Sequence, residues 1–525
     1  MRKIGFKLNV KQQYALNIML AGKNVFLTGE AGTGKSFVLQ RFIESTKDRN
    51  VLVCAPSGVA AINVGGVTIH RAFMAPIKPY IGGEIEIPEV VKNADVVIID
   101  EISMCRIDLF DYVSAIILGI NKNRKNNKDE KADPIQIIVV GDFYQLPPVI
   151  AERDAKILKE HYGNNIGSAF AFQSDNWNKF DFVSIVLKDI VRQNDQEFVH
   201  ALNQARIGNS ECIDFIRSNS SKKKIDKAIV LSSTNRSADE INQTELGKVR
   251  EKPFRFEAIE TGEVKESDRA TSKSLVLKKG CRVMSIINDV VENKFQNGTL
   301  GTVASINREK KEVIVDFDNG YTATVKMHRW SIENYRVETT VSKGKRIKHI
   351  EKVEIGSFTQ LPLKLAYAIT IHKSQGKTYD AVNLYPKCWQ AGQLYVALSR
   401  VTSVAQLYLM DEIRKDYLVT AKDVQDFYKS MNHDDIIAGD PKSFNQAAEK
   451  KTYQSCEDNY NVRFVKNVSM VLQQKGMSWY RLSKITGIPE SYLADLRNFR
   501  KKEIALSKAA KIAGALGVKI DSLLY

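Results

Sequence analysis

Short apolar runs alternating with amphipathic stretches set the rhythm of the first 200 residues. Residues 25–27, 51–54, 96–99 and 135–140 read as buried strands. The stretches between them place apolar side chains at helical spacing, and the alternation predicts a parallel sheet covered by helices. Two segments break the rhythm. Residues 74–89 carry Pro76, Pro79, Pro88 and Gly82-Gly83 and are expected to be irregular, while 121–131 is Lys/Asn-rich and reads as an exposed loop. A second strand–helix pattern begins near 228–231 and resumes over 366–409. Between them, residues 298–361 have another character. The alternation over 312–317, the turn Asp318-Asn319-Gly320 and the run 321–325 predict a hairpin, and with it a small inserted β-barrel. Residues 421–460 turn polar and are expected to form a linker, and 461–525 are expected to form a separate helical unit. The domain reading is therefore 1–200, 201–420 with its insertion, the linker, and the tail.

Composition changes this picture in one respect. Apolar and charged contents of 43% and 26% are those of an ordinary globular chain, but the net charge of +16 asks for a polyanionic partner, nucleic acid first. The six cysteines are scattered without metal-ligand spacing and read as reduced thiols. No apolar stretch approaches transmembrane length, so the expected location is cytoplasmic and nucleoid-associated, without a membrane partner.

The chemistry starts at Gly29-Glu30-Ala31-Gly32-Thr33-Gly34-Lys35-Ser36, which follows a strand-like run and opens a helix-like one. Glycines there let backbone N–H groups converge on phosphate oxygens at a helix N-terminus. Lys35 is expected to neutralise the β- and γ-phosphates of ATP, and Ser36 to offer its hydroxyl to Mg²⁺. Asp100-Glu101 ends the apolar run 96–99. Asp100 is expected to hold the Mg²⁺ and Glu101 to orient and deprotonate the attacking water. Gln145, in Gly141-Asp142-Phe143-Tyr144-Gln145-Leu146-Pro147-Pro148, is placed to bond both that water and the γ-phosphate.

Arg192 and Arg400 are candidates for stabilising charge on the transferred phosphoryl group. His372, Lys373, Ser374, Gln375 and Thr378 follow a strand ending at Thr370, a donor set suited to phosphate or nucleic-acid backbone. Ser57 and His70 repeat the theme in the first domain. Phe73 suits either a base-stacking platform or the core.

Taken in order, these segments resemble the superfamily 1B DNA helicases of the Pif-type (petite integration frequency) branch, relatives of the RecD-like enzymes. The resemblance covers residues 6–415, with motifs at Gly29–Ser36, Asp100-Glu101, Gly141–Pro148, Arg192-Gln193, Ala368–Thr378 and Gln393–Arg400. It implies two RecA-like domains, an SH3-like insertion, and ATP- and Mg²⁺-dependent 5′→3′ translocation on single-stranded DNA. By it, Lys35, Glu101, Gln145, Arg192 and Arg400 carry hydrolysis, and Gln12 and Gly376 join the phosphate loop around the nucleotide. Ser57, His70, Phe73, Thr370, His372 and Lys373 follow DNA, and the irregular 74–93 insertion is the strand-separating wedge. An ATP-switched DNA-binding regulator and an RNA helicase are the alternatives.

The tail resembles the lambda-repressor-like (XRE-type) helix-turn-helix, with 462–474 and 478–486 as its first helices and 490–498 as the recognition helix. Residues 461–525 hold 12 Lys and Arg against 4 Asp and Glu, a net of +8. Ser491 and Tyr492 are the candidate duplex contacts. Glu490 and Asp495 on the same helix repel phosphates, which leaves operator reading, general tethering and a replication or repair protein partner all open.

Overall fold

The computed structural model describes residues 8–126, 133–163, 166–190, 195–289, 292, 294–342 and 345–431, and, in the tail, 468, 471–472, 477–490, 492–493 and 506–516. Residues 1–437 and 438–525 form two separate compact units.

The first lobe of the larger unit is a parallel sheet of β1 (Val25–Gly29), β2 (Val51–Ala55), β3 (Val67–Thr68), β4 (Val96–Ile99), β5 (Gln136–Val140) and β6 (Val183–Leu187), in the order β3-β2-β4-β5-β1-β6. Side chains alternate across a strand, so the two sets of residues enter two cores. Val25, Leu27, Val53, Val96, Ile98, Ile138 and Val140 pack beneath the helix Lys35–Ser45. Phe26, Leu52, Cys54, Val97, Ile99, Ile137 and Val139 pack on the opposite face, against Ile107–Asn126. Burial on both faces is why these strands read as unbroken apolar runs.

The second lobe is a parallel sheet of β7 (Ile229–Ser232) with three later strands, and a long antiparallel region intervenes. That region holds β8 (Phe254–Glu257), β9 (Ile259–Gly262), β10 (Ser274–Leu277), β11 (Arg282–Ser285), β12 (Leu300–Asn307), β13 (Glu312–Phe317), β14 (Thr322–Val325), β15 (His328–Ser342), β16 (Lys345–Gln360) and β17 (Leu363–Leu365). The sheet closes with β18 (Ala368–Thr370), β19 (Val382–Leu384) and β20 (Leu407–Leu409), in the order β18-β7-β19-β20.

The antiparallel strands thus begin earlier than residue 298, where the insertion is expected to start. β8 pairs with β10, β9 joins β15 and β16, and β11 pairs with β12; their short polar-interrupted runs carry little pattern by themselves. The hairpin expected at 318–320 forms between β13 and β14. Its sheet runs β14-β13-β12-β11-β17, an antiparallel sheet over a core of Phe256, Leu277, Val303, Val315, Phe317 and Leu363. Beside it, β15 and β16 make a long charged hairpin whose shaft reaches the first lobe. There the Tyr335 hydroxyl accepts from the Val53 N–H at 3.2 Å, and the Ile350 N–H donates to Asn50 Oδ1 at 2.9 Å.

The expected linker is corrected at its start. Residues 422–430 form a helix, Lys422–Ser430, which returns the chain to the first lobe. Val424 is buried there, and Phe427 meets Phe172 at 4.3 Å and Phe143 at 5.5 Å between ring centroids. The segment reads as polar because four of its nine residues are Lys or Asp, but Val424, Phe427 and Tyr428 recur at helical spacing. Residues 432–460 lie outside the described residues.

Within the tail unit, Ser478 caps the helix Trp479–Thr486, Gly487 ends it at φ 67°, and Leu506–Leu516 follows. Val468, Leu472, Leu482, Ile488, Leu493 and Ile512 form its core. Most of the expected recognition helix, Ser491 and Asp495 included, lies outside the described residues. Tyr492 is half-buried, with the Lys508 ammonium 3.7 Å above its ring.

Candidate nucleotide and nucleic-acid site

The phosphate loop leaves the carboxyl end of β1 and enters the helix Lys35–Ser45. Gly29 has φ 144°, and a Cβ there would sit 2.3 Å from the Leu187 carbonyl oxygen on β6. Gly34 has φ 83°, and a Cβ would sit 2.5 Å from Gln12 Nε2. Gly29 is therefore required by close approach to backbone as well as by backbone angle, and Gly34 by its backbone angle. Gln12 donates to the Thr33 carbonyl at 3.0 Å and accepts from the Asn9 N–H at 3.0 Å, which ties the helix Val10–Leu20 to the loop. Lys35 Nζ donates to the carbonyls of Gly29 and Glu30, at 2.8 and 3.0 Å. Burial pulls its pKa down, opposed by Asp142 and Glu101.

Asp100 and Glu101 sit where β4 ends. Glu101 is left-handed, φ 52° and ψ 46°, an uncommon conformation for a side chain of its size and one that recurs at functional sites. Its N–H donates to Asp100 Oδ1 at 2.9 Å. Loss of solvation raises both carboxyl pKa values. For Glu101 the Asp100 charge adds to that, while Lys35, Arg400 and the Gln375 amide oppose it. The Asp100 carboxylate, together with the Ser36 hydroxyl in the first turn of the loop's helix, supplies the hard oxygen donors that suit Mg²⁺, which leaves Glu101 free to take a proton.

The second lobe reaches this cleft at several points. Gln375 Nε2 donates to Glu101 Oε2 at 2.9 Å and to Gln145 Oε1 at 3.2 Å. The Ala31 N–H of the phosphate loop donates to the Tyr395 hydroxyl at 3.0 Å. Gly392, one residue before the helix Gln393–Leu398, packs so tightly on the Tyr144 and Gln145 carbonyls that a Cβ would lie 2.3 and 2.4 Å from them. Arg400 is almost wholly buried. It donates to the Val396 carbonyl at 2.7 Å, to the Ser374 and Lys377 carbonyls at 3.0 Å each, and to Ser399 Oγ at 2.7 Å. In this conformation it braces the segment that carries Gln375. Arg192 lies outside the described residues.

Arg206 carries no signal in the sequence. It lies on the helix Gln196–Ile207, bonds both oxygens of the fully buried Asp142, and stacks 4.4 Å above Tyr144. Tyr428 completes the group, with its hydroxyl 2.7 Å from Thr28 Oγ1. A lone Arg in a basic chain points to no such role. Only the burial of its partner reveals it.

The expected nucleic-acid residues divide. Ser57 and Thr370 both cap helices, accepting from the Ala60 and Lys373 N–H groups. His70 and His372 are half-buried, and burial lowers the pKa of each. Phe73 is corrected: it is fully buried among Leu52, Ile69 and Phe110 in the first-lobe core and offers no face to a base. Gly376 has φ 75° beside Gln375.

Two lysines join the exposed Lys373 that the sequence did not single out. Lys364 on β17 and Lys377 are pushed down to about 8, both by burial, and Lys364 also by the charges of Lys377 and Lys373. Among the described residues none of the three has a carboxylate partner. The wedge candidate exposes Met74, Ile77 and Ile81, and the Tyr80 N–H anchors it to Asp108 at 3.0 Å.

Comparison with known proteins places this geometry. Residues 7–220 match the PIF1-like helicase family, and 467–525 match the Cro/C1-type HTH DNA-binding domain. The ATP-dependent DNA helicase PIF1 of Danio rerio is 32% identical over 82% of this chain, and that of Homo sapiens 32% identical over 77%. The chain spans only 65% and 61% of the length of those two relatives. A Bacteroides sp Pif1 crystallised with ADP-AlF4 is 31% identical, with a TM-score of 0.69 over 82% of this chain and 98% of that one. Matching nearly the whole of that structure at this identity, with both lobes facing one phosphate loop, the chain belongs to the PIF1-like helicase family.

Proposed function

We propose that this protein hydrolyses ATP to move 5′→3′ along single-stranded DNA and to separate duplex DNA ahead of it. The observation that carries this reading is the pair of bonds from Gln375 of the second lobe to Glu101 and Gln145 of the first. A nucleotide in the cleft is then felt by both lobes, and hydrolysis can move one against the other. Lys35 holds the phosphates, and Glu101 takes the proton of the attacking water. Ser36 and Asp100 would hold Mg²⁺, which neutralises phosphate charge when bound.

The net charge of +16 and the lysines 364, 373 and 377, without carboxylate partners, favour a polyanion beside Thr370 and His372. Bacteroides Pif1 is also known bound to single-stranded DNA, which supports DNA as that polyanion. The tail adds a second DNA contact through its Cro/C1-type domain. Its acidic Glu490, exposed at the end of the turn, leaves a replication or repair protein as the other partner class.

The deciding experiment is strand displacement on duplexes carrying either a 5′ or a 3′ single-stranded tail, with ATP and Mg²⁺. Opening is expected only with the 5′ tail. Efficient opening of the 3′-tailed duplex refutes the direction, and ATP turnover without opening of either refutes the helicase reading.

A further inference from the structure

Gln375 lies one residue beyond the short helix Ile371–Ser374, at the point where the nucleic-acid candidates meet the ATP cleft. Its Nε2 divides between Glu101 Oε2, at 2.9 Å, and Gln145 Oε1, at 3.2 Å. Its Oε1 is buried and accepts nothing among the described residues. A buried carbonyl oxygen without a donor is uncommon, and here it lies on the same amide that holds the general-base candidate. The backbone on both sides is fixed, because Arg400 donates to the carbonyls of Ser374 and Lys377. A side chain held this firmly, with one satisfied end and one orphaned end, is arranged for a small donor that comes and goes.

We propose that Gln375 is a water-positioning residue of ATP hydrolysis. Its N–H group sets the Glu101 carboxylate and the Gln145 amide around one water molecule, and its Oε1 accepts one O–H of that water. The other O–H points at Glu101. In the reaction the water oxygen bonds to the γ-phosphorus as the bond from that phosphorus to the β,γ-bridging oxygen breaks. The electron pair leaves with ADP, and the water's proton passes to Glu101. Gln375 gains and loses no atom. Because it adjoins the helix Ile371–Ser374, a polyanion held at the exposed Lys373 acts on the segment that carries the amide, and the base is positioned best when that track is filled. The proposal rests on the ATPase reading above.

The test uses the full chain with Gln375→Leu, which keeps bulk but removes both polar ends, and Gln375→Ala as a second variant. Three quantities are compared with wild type: kcat and KM for ATP with and without single-stranded DNA, affinity for ADP, and affinity for ADP with aluminium fluoride. With DNA present, kcat is expected to fall by a factor on the order of 100, the loss seen when one positioned hydrogen-bonding group is removed from a reacting centre. KM and ADP affinity should stay within about twofold, while the aluminium fluoride complex weakens in step with kcat. Stimulation by DNA should shrink in both variants.

A kcat within twofold of wild type overturns the proposal. So does a fall in kcat with ADP and aluminium fluoride affinities unchanged, or loss of ADP binding in both variants, which makes Gln375 a structural residue. A wild-type chain that turns over no ATP overturns the ATPase reading itself, a result separate from any of these.

Discussion

The guanidinium of Arg206 and the carboxylate of Asp142 form a two-pronged pair, with Nε and Nη2 each donating to one oxygen at 3.0 and 2.8 Å. Asp142 has no exposed surface, and the pair is sealed by Tyr144 and Tyr428, whose rings stack at 4.8 Å. It joins the second lobe's leading helix to the loop that carries Gln145. Removing one member of such a pair strands the other charge. Arg206→Ala is therefore expected to cost about 3–5 kcal/mol of stability, read from urea unfolding. A loss below about 1 kcal/mol means that Asp142 finds another partner.

The chemical assignments separate in two variants. Lys35→Ala should abolish ATP turnover while leaving single-stranded DNA affinity within a few-fold, because the lysine faces Gly29 and Glu30 and not the lysine cluster. Glu101→Gln should bind ATP and fail to cleave it, since an amide takes no proton from water. Single-turnover hydrolysis and nucleotide binding read out both. Loss of ATP binding in Glu101→Gln would make that residue part of the metal shell.

Helix Lys422–Ser430 makes the end of the larger unit a testable boundary. Truncation after residue 437 should leave the thermal unfolding of the remaining lobes unchanged. Truncation after residue 420 removes Val424, Phe427 and Tyr428 from the first-lobe core and should destabilise it by about 3 kcal/mol or more. Equal unfolding curves for the two truncations would return this helix to a linker.

Lys364 and Lys377 supply a pH dependence whose sign is fixed by their depressed pKa values of about 8. Below pH 8 both are charged and attract a polyanion. Single-stranded DNA affinity should therefore fall as pH rises from 7 to 9, and the salt dependence should flatten by roughly 0.7 for each phosphate that is no longer neutralised. Stability without DNA moves the other way. The folded pKa lies below the unfolded value of 10.5, so the charged lysines cost stability below pH 8, and this cost is relieved between pH 8 and 10.5. Substituting both lysines by Met should remove the pH effect on binding. If affinity is as pH-sensitive in that variant, the cluster does not touch DNA.

Deleting residues 438–525 should leave DNA-stimulated ATP turnover intact and weaken duplex binding, most of all at low salt. The net +8 of residues 461–525 within the deleted segment acts through counterion release, and each phosphate it neutralises adds about 0.9 to the salt slope. Binding that is equal at every salt concentration would turn attention to a protein partner.

The phosphate loop is legible from residues alone because its chemistry is local. Glycines, a lysine and a serine must follow one another at the end of a strand, so eight consecutive letters carry the signal. The doubly buried strands are legible for a similar reason: burial on both faces writes an unbroken apolar run. What stays hidden depends on residues far apart in the chain. Phe73 is open between core and base platform until the fold encloses it. The linker reading fails at Lys422–Ser430 because one buried and two partly buried side chains among charges give a weak local signal, and the rings they pack against lie more than 240 residues earlier. Arg206 and Gln375 have ordinary identities, and their roles exist only because Asp142 and Glu101 are brought to them across the cleft. Consecutive residues specify the chemistry that neighbours in the chain can make. Where partners come from two lobes, the desolvation that gives them their meaning is created by tertiary packing.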